Sequence, residues 1–160
     1  MNGLAVGGGF EIVLAAELVV AADHAEFFLP ETGLGIIPDA GAVRLPRALP
    51  PVVANEVLYG GRRLNAREAE RWGLVNRVAT TGELMDEAWA LASRIAAAAP
   101  LAVEAIMALS RATQGRSVDD AFAHLRSGDL VAYERMLESD DALEGPKAFT
   151  EKREPRWQGR

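Results

Sequence analysis

The sequence predicts a chain that is mixed α and β in its first half and all helix in its second. Three observations lead there. Gly7-Gly8-Gly9 opens onto a largely apolar run with helical spacing, 10–16. Two short apolar stretches with strand character follow, 17–21 and 26–29, separated by a turn at Asp23-His24. From Gly82 onward three long amphipathic patterns, 83–99, 101–114 and 118–138, are separated only by Pro100 and by Gly115-Arg116-Ser117. The natural division is therefore 1–81, a mixed core, and 82–160, a helical region.

The elements follow in order from their punctuation. The turn-like Asn2-Gly3 and the glycine run come at once, so no strand or helix is expected ahead of them. The stretch 30–41 is rich in Pro and Gly and reads as a loop, and a binding site is a common reason for such a loop to be ordered. Residues 42–49 suit a short helix cut by Pro46. Pro50-Pro51 starts the next helix, 52–59, and Gly60-Gly61 closes it. Asn65 is an N-cap for 66–72, with Glu68 placed to complete a capping box, and Gly73 ends that helix ahead of a strand at 74–78. Ser139 can cap a last helix, 140–152, with Gly145-Pro146 near its first turns.

Composition removes several classes of function. With 49% hydrophobic and 25% charged residues the chain reads as an ordinary globular domain. A net charge of −6 argues against a nucleic-acid surface, which needs an excess of Lys and Arg. The absence of cysteine removes disulfides, thiolate metal sites and cysteine nucleophiles, and fits a cytoplasmic setting. His24 and His124 alone do not make a multi-histidine metal site. Residues 1–20 are apolar, but Glu11 and Glu17 interrupt them and no basic stretch leads, so neither a signal peptide nor a membrane partner is expected.

Two acids stand out. Glu11 lies among Phe10, Ile12, Val13 and Leu14, where an unpaired buried charge is costly. It is either a capping acid favoured by the helix dipole or a functional group. Glu31 follows Pro30 at the head of the glycine-rich loop, and alone it is an ordinary loop carboxylate. Together the two could divide acid and base roles across one substrate. Gly7, Gly8 and Gly9 would leave N–H groups open at a helix N-terminus, a ready oxyanion site. No Lys-Ser/Thr pair follows them, so this is no P-loop. Arg44, Arg47, Arg62, Arg63, Lys152 and Arg153 are either phosphate ligands or solvated surface.

A run of motifs in fixed order resembles the crotonase (enoyl-CoA hydratase/isomerase) superfamily. They are Asn2-Gly3, Gly7-Gly8-Gly9-Phe10-Glu11, Ala25 to Glu31, Leu34-Gly35-Ile36-Ile37-Pro38, Arg44-Leu45-Pro46-Arg47, Ala66 to Ala69 with Gly73 to Asn76, and Glu144-Gly145 with Ala148-Phe149 and Glu151 to Arg153. The likeness spans essentially the whole chain. It implies part of a crotonase β-β-α superhelix followed by a helical oligomerisation region, assembling as homo-trimers or hexamers. It also implies an acyl-CoA thioester as partner, with coenzyme A belonging to the substrate and no separate cofactor. On this resemblance Glu11 and Glu31 match the catalytic glutamates and the Gly8 N–H matches one oxyanion donor. Gly7, Gly9, Pro30, Asp39 and Lys152 match substrate or coenzyme A contacts. Further motifs, among them Leu29-Pro30-Glu31, Pro38-Asp39, Gly61-Arg62-Arg63 and the ending Pro155 to Arg160, are similar to the branch that interconverts crotonobetainyl-CoA and L-carnitinyl-CoA.

The chain departs from the family pattern twice. The family carries a substantial segment before the Asn-Gly, with a second oxyanion donor and much of the coenzyme A site. Met1 stands where the family usually has valine, as though a valine codon were read as a start, and the 160-residue chain is expected to be inactive by itself. Second, Gly41-Ala42-Val43-Arg44 is one residue shorter than usual, which bears on the geometry beside Glu31. Two competing readings remain at this stage: another crotonase reaction such as double-bond isomerisation, and a non-catalytic remnant or assembly module.

Overall fold

A short strand, β1 (Leu4–Val6), stands ahead of the glycine run, where the sequence suggested no element. It was invisible because three residues give no periodicity, and pairing with a distant strand makes it. The computed structural model describes residues 1–160, in two units, Met1–Ala90 and Leu91–Arg160.

In the first unit β1 leads into α1 (Gly8–Ala15), β2 (Val20–Ala22) and β3 (Glu26–Phe28). The segment 30–41 is not a plain loop. It forms a 3₁₀ turn, Glu31–Leu34, and then enters α2 (Asp39–Ala48), three residues earlier than expected and with Pro46 inside its last turn. Then come α3 (Pro51–Gly60), the two-residue strand β4 (Leu64–Asn65), α4 (Ala66–Arg71) and β5 (Arg77–Ala79), which lies later than the expected 74–78. β1 pairs parallel with β3, and β3 pairs antiparallel with β4. β2 and β5 form a separate parallel pair.

Local signals set several boundaries as expected. The Asn65 side chain accepts from the Glu68 N–H at 2.9 Å while the Glu68 carboxylate accepts from the Asn65 N–H at 3.1 Å, a complete capping box. Gly61 ends α3 at φ 63, a left-handed position that glycine adopts without a Cβ penalty. The core of this unit holds Ala5, Phe10, Phe27, Leu29, Leu45, Val57 and Leu64, all essentially inaccessible to solvent. The Phe10 and Phe27 rings sit 5.6 Å apart and tilted by 53°, which ties α1 to β3.

α5 (Leu84–Ala96) spans the break between the units. The second unit is all helix, with α6 (Pro100–Ala112) packed on α8 (Val131–Leu137) and α8 on α9 (Asp140–Glu151). The expected helix over 118–138 is two helices, α7 (Val118–Leu125) and α8 (Val131–Leu137), broken where Gly128 takes φ 80. Ser139 caps α9 (Asp140–Glu151) through the Ala142 N–H. Pro146 lies inside α9 rather than in its first turn, and its missing N–H removes one helical bond at the level of Ala142. The buried Asp141 carboxylate accepts from the N–H groups of Gln158 at 2.6 Å and Gly159 at 2.9 Å, which holds the C-terminal residues against the helix. No single helix is long and apolar enough to cross a membrane.

Candidate active site

The parallel pairing of β1 with β3 places the ends of both strands side by side, and both acids of interest follow directly. Leaving β1, the chain turns at Gly7, whose φ 52 and ψ −122 belong to a region open essentially to glycine alone. The Gly7 N–H continues the ladder by donating to the Phe28 carbonyl at 3.1 Å. Its carbonyl accepts from Phe10 N–H at 2.8 Å and Glu11 N–H at 3.0 Å, starting α1 immediately. The expectation that all three glycines present free N–H groups therefore needs correcting. Gly7 is buried and its donor is spent on the sheet, whereas Gly8 and Gly9 are exposed as the first two residues of α1, ahead of the first helical hydrogen bonds at Phe10 and Glu11.

Leaving β3, the chain runs through the buried Leu29 and the half-buried Pro30 into the 3₁₀ turn that begins at Glu31. This turn is closed by Gly35 at φ 79, and the Ile36 N–H donates to the Glu31 carbonyl at 3.1 Å. The Glu31 side chain bends back toward Gly7: its Oε1 lies 2.6 Å from where a Cβ on Gly7 would stand. Its Oε2 is buried and has no hydrogen-bond partner. An unsatisfied buried carboxylate oxygen costs about 1–3 kcal/mol or more. Such an oxygen is open to a water molecule or a substrate group.

Glu11 sits one turn into the same helix, half-buried, and its Oε1 accepts from the Gly41 N–H of α2 at 2.8 Å. The structure thus gathers Glu31, Gly7, Gly8, Gly9 and Glu11 around the N-terminal turn of α1. Asp39 is exposed as the first residue of α2, two positions before Gly41. Lys152 belongs to the second unit, where it is exposed and ends α9 at φ 53, the one non-glycine residue with positive φ.

The basic residues weighed as phosphate ligands are largely engaged elsewhere. Arg62 is bound by Glu56 and Glu68, and these hydrogen bonds raise the pKa of its guanidinium. Arg63 pairs with Glu26 at 3.1 Å and lies over the Phe28 ring at 4.1 Å. Arg153 is bidentate on Glu144, at 2.6 and 2.9 Å, and also reaches Glu151. Arg44 and Arg47 donate to the carbonyls of Leu14 and Val43. The residue that sequence reasoning missed is Gly41. Its signal was a glycine in the first turn of a helix, read instead as the end of a loop.

Comparison with known proteins identifies the family. The sequence profile of the Enoyl-CoA hydratase/isomerase family matches residues 1–160. Carnitinyl-CoA dehydratase of Proteus mirabilis (strain HI4320) is 55% identical over 161 residues, covering 100% of this chain and 62% of that protein. The protein of the same name from Salmonella arizonae is 52% identical, covering 99% and 61%. The crystal structure of an enoyl-CoA hydratase subunit from Geobacillus kaustophilus HTA426 superposes with a TM-score of 0.91 at 41% identity, over 99% of this chain and 61% of that one. Enoyl-CoA hydratase from Mycobacterium tuberculosis H37Rv gives 0.90 at 40% identity, over 99% and 62%. The chain therefore spans about 62% of the length of the first curated relatives it matches. The α/β architecture with a helical second half, the glycine-headed helix and the match along all of residues 1–160 point the same way, and the chain belongs to the enoyl-CoA hydratase/isomerase family.

Proposed function

We propose that these residues serve the hydration and dehydration of an enoyl-CoA thioester, with crotonobetainyl-CoA and L-carnitinyl-CoA as the substrate pair. The observation that carries this reading is the buried, unpartnered Oε2 of Glu31, set against Gly7 at the head of the helix that also carries Glu11. The acyl group is suggested by the name of relatives 52–55% identical to this chain, carnitinyl-CoA dehydratase.

Hydration puts hydroxide on the β-carbon and a proton on the α-carbon, with no change of oxidation state overall. As water adds, negative charge develops on the thioester oxygen. The Gly8 N–H, at the positive end of α1, is the donor that would face it. One carboxylate of the Glu11–Glu31 pair takes the proton from water and the other supplies the proton at the α-carbon, with roles reversed for dehydration. Glu31, with an oxygen that no protein group satisfies, has capacity left for water or substrate. Coenzyme A enters as part of the substrate, so this chemistry asks for no separate cofactor. Assembly into trimers or hexamers is part of the same proposal. Exposed apolar side chains on the second unit, such as Val131 at 76% and Phe149 at 86%, support it.

The test grafts residues 1–160 in place of the matching stretch of the Proteus mirabilis relative and follows hydration of crotonobetainyl-CoA. The graft is expected to turn over, and Glu11→Gln or Glu31→Gln to lower kcat by about 10²–10⁴-fold. A folded graft with no turnover, or one indifferent to both substitutions, would reject the assignment.

A further inference from the structure

We propose that the second unit carries a peptide-binding groove, filled by the chain's own C-terminal segment and able to take that segment from a second copy. α9 ends at Lys152, which is exposed and left-handed at φ 53 and ψ 42, and there the chain reverses. Residues 153–160 run back along α9 toward its first turn. Arg153 and the Arg156 N–H meet Glu144, and the Gln158 and Gly159 N–H groups meet Asp141. The Arg160 carbonyl ends the run by accepting from the Asp140 N–H at 2.8 Å. Exposure alternates along the segment: Pro155, Trp157 and Gly159 are half-buried, while Glu154, Arg156, Gln158 and Arg160 are exposed. A period of two is the pattern of an extended peptide lying on a surface.

The groove holds this peptide mainly by its main chain. The Asp141 carboxylate, 4% exposed, spends one oxygen on each of two successive N–H groups, at 2.6 and 2.9 Å. Glu144 takes the Arg156 N–H at 2.8 Å. Main-chain bonds give affinity without reading sequence, so selectivity falls to two positions. The Trp157 indole N–H donates to the Ala97 carbonyl at 2.9 Å, and a Cβ on Gly145 would stand 3.4 Å from the Trp157 ring. Gly159 is left-handed at φ 70, with Pro100 3.5 Å from where its Cβ would be. The ligand class is therefore an extended peptide with an aromatic residue followed two positions later by glycine.

Each of these contacts joins residues 156–160 to residues 97–145, and none lies within the segment. Reciprocal exchange between two copies conserves them all. It also frees Lys152, the one non-glycine residue with positive φ, from a conformation that its Cβ disfavours. Glu154 precedes Pro155 and is thereby biased toward extended backbone, which suits a segment reaching outward. An attached tail has an effective concentration on the order of millimolar, so exchange belongs to copies held together or concentrated to that level.

The chain has no cysteine, so disulfide trapping reads the groove without background. The full chain carrying Asp140→Cys is oxidised with a peptide of residues 153–160 carrying Arg160→Cys, two positions whose backbones are hydrogen-bonded. The mixed disulfide should form about tenfold faster than with the same peptide bearing Trp157→Ala or Gly159→Ala as well. These changes sit in the peptide, so the fold of the chain is common to all three reactions. For exchange, isotopically heavy Asp140→Cys chain and light Arg160→Cys chain are oxidised together at about 1 mM and the products weighed by mass spectrometry. The mixed disulfide should exceed its statistical yield by about tenfold. Lys152→Gly in both chains accepts the left-handed turn freely and should lower that excess by about fivefold. Equal rates with the three peptides overturn the groove. A mixed yield at the statistical level, or an excess that Lys152→Gly leaves unchanged, overturns the exchange.

Discussion

Replacing Gly7 with alanine separates backbone strain from carboxylate placement. Gly7 turns the chain from β1 into α1 at φ 52 and ψ −122. A residue with a Cβ pays about 1–3 kcal/mol in such a region. With a urea dependence of about 2 kcal/mol per molar, the unfolding midpoint should fall by about 0.5–1.5 M. The new Cβ would also stand 2.6 Å from Glu31 Oε1, so the carboxylate must retreat. A retreat of roughly 0.8 Å restores ordinary contact. The assays are urea unfolding of the chain, the Glu31 carboxyl carbon resonance, and kcat in the Proteus graft, where a loss of about 10²-fold is expected. A midpoint within about 0.2 M of the parent would refute the strain argument. A destabilised variant with an unmoved Glu31 resonance and full kcat would refute the placement argument while leaving the strain intact.

Three further outcomes follow from the same structure. Asn65→Ala should cost about 0.5–2 kcal/mol by removing the cap of α4, and adding Glu68→Ala should cost less than the sum of the two, because they form one box, as urea unfolding of the three variants can show. Phe27→Ala should cost about 3–5 kcal/mol in the same assay, since this ring is fully buried and packs on Phe10. Glu144 is held at about 2, first by Arg153 and then by the Arg156 N–H, against an ordinary 4.5. Its folded pKa is depressed, so its contribution is complete above about pH 4.5 and fades as pH falls toward about 2. Glu144→Gln should therefore flatten the stability profile in that window and leave its slope at neutral pH unchanged, by a small amount because solvent screens the pair.

The sequence by itself settled whatever depends on neighbours along the chain. The capping box at Asn65 and Glu68, the Ser139 cap and the left-handed Gly61 use hydrogen bonds and backbone preferences within a few residues, so residue types reveal them. The ordered motifs around Glu11 and Glu31 likewise sufficed to point to the family. Tertiary structure decided whatever joins distant segments. β1 and β4 are too short to show a period and exist through pairing with β3. The spending of the Gly7 N–H on Phe28, the bond from Gly41 to Glu11 and the burial of Glu31 Oε2 depend on how β1, β3 and α2 approach one another. The break at Gly128 lay between, visible as a glycine but outweighed by a continuous apolar pattern. Where the two carboxylates stand is set by contacts across the fold, which spacing along the chain does not encode.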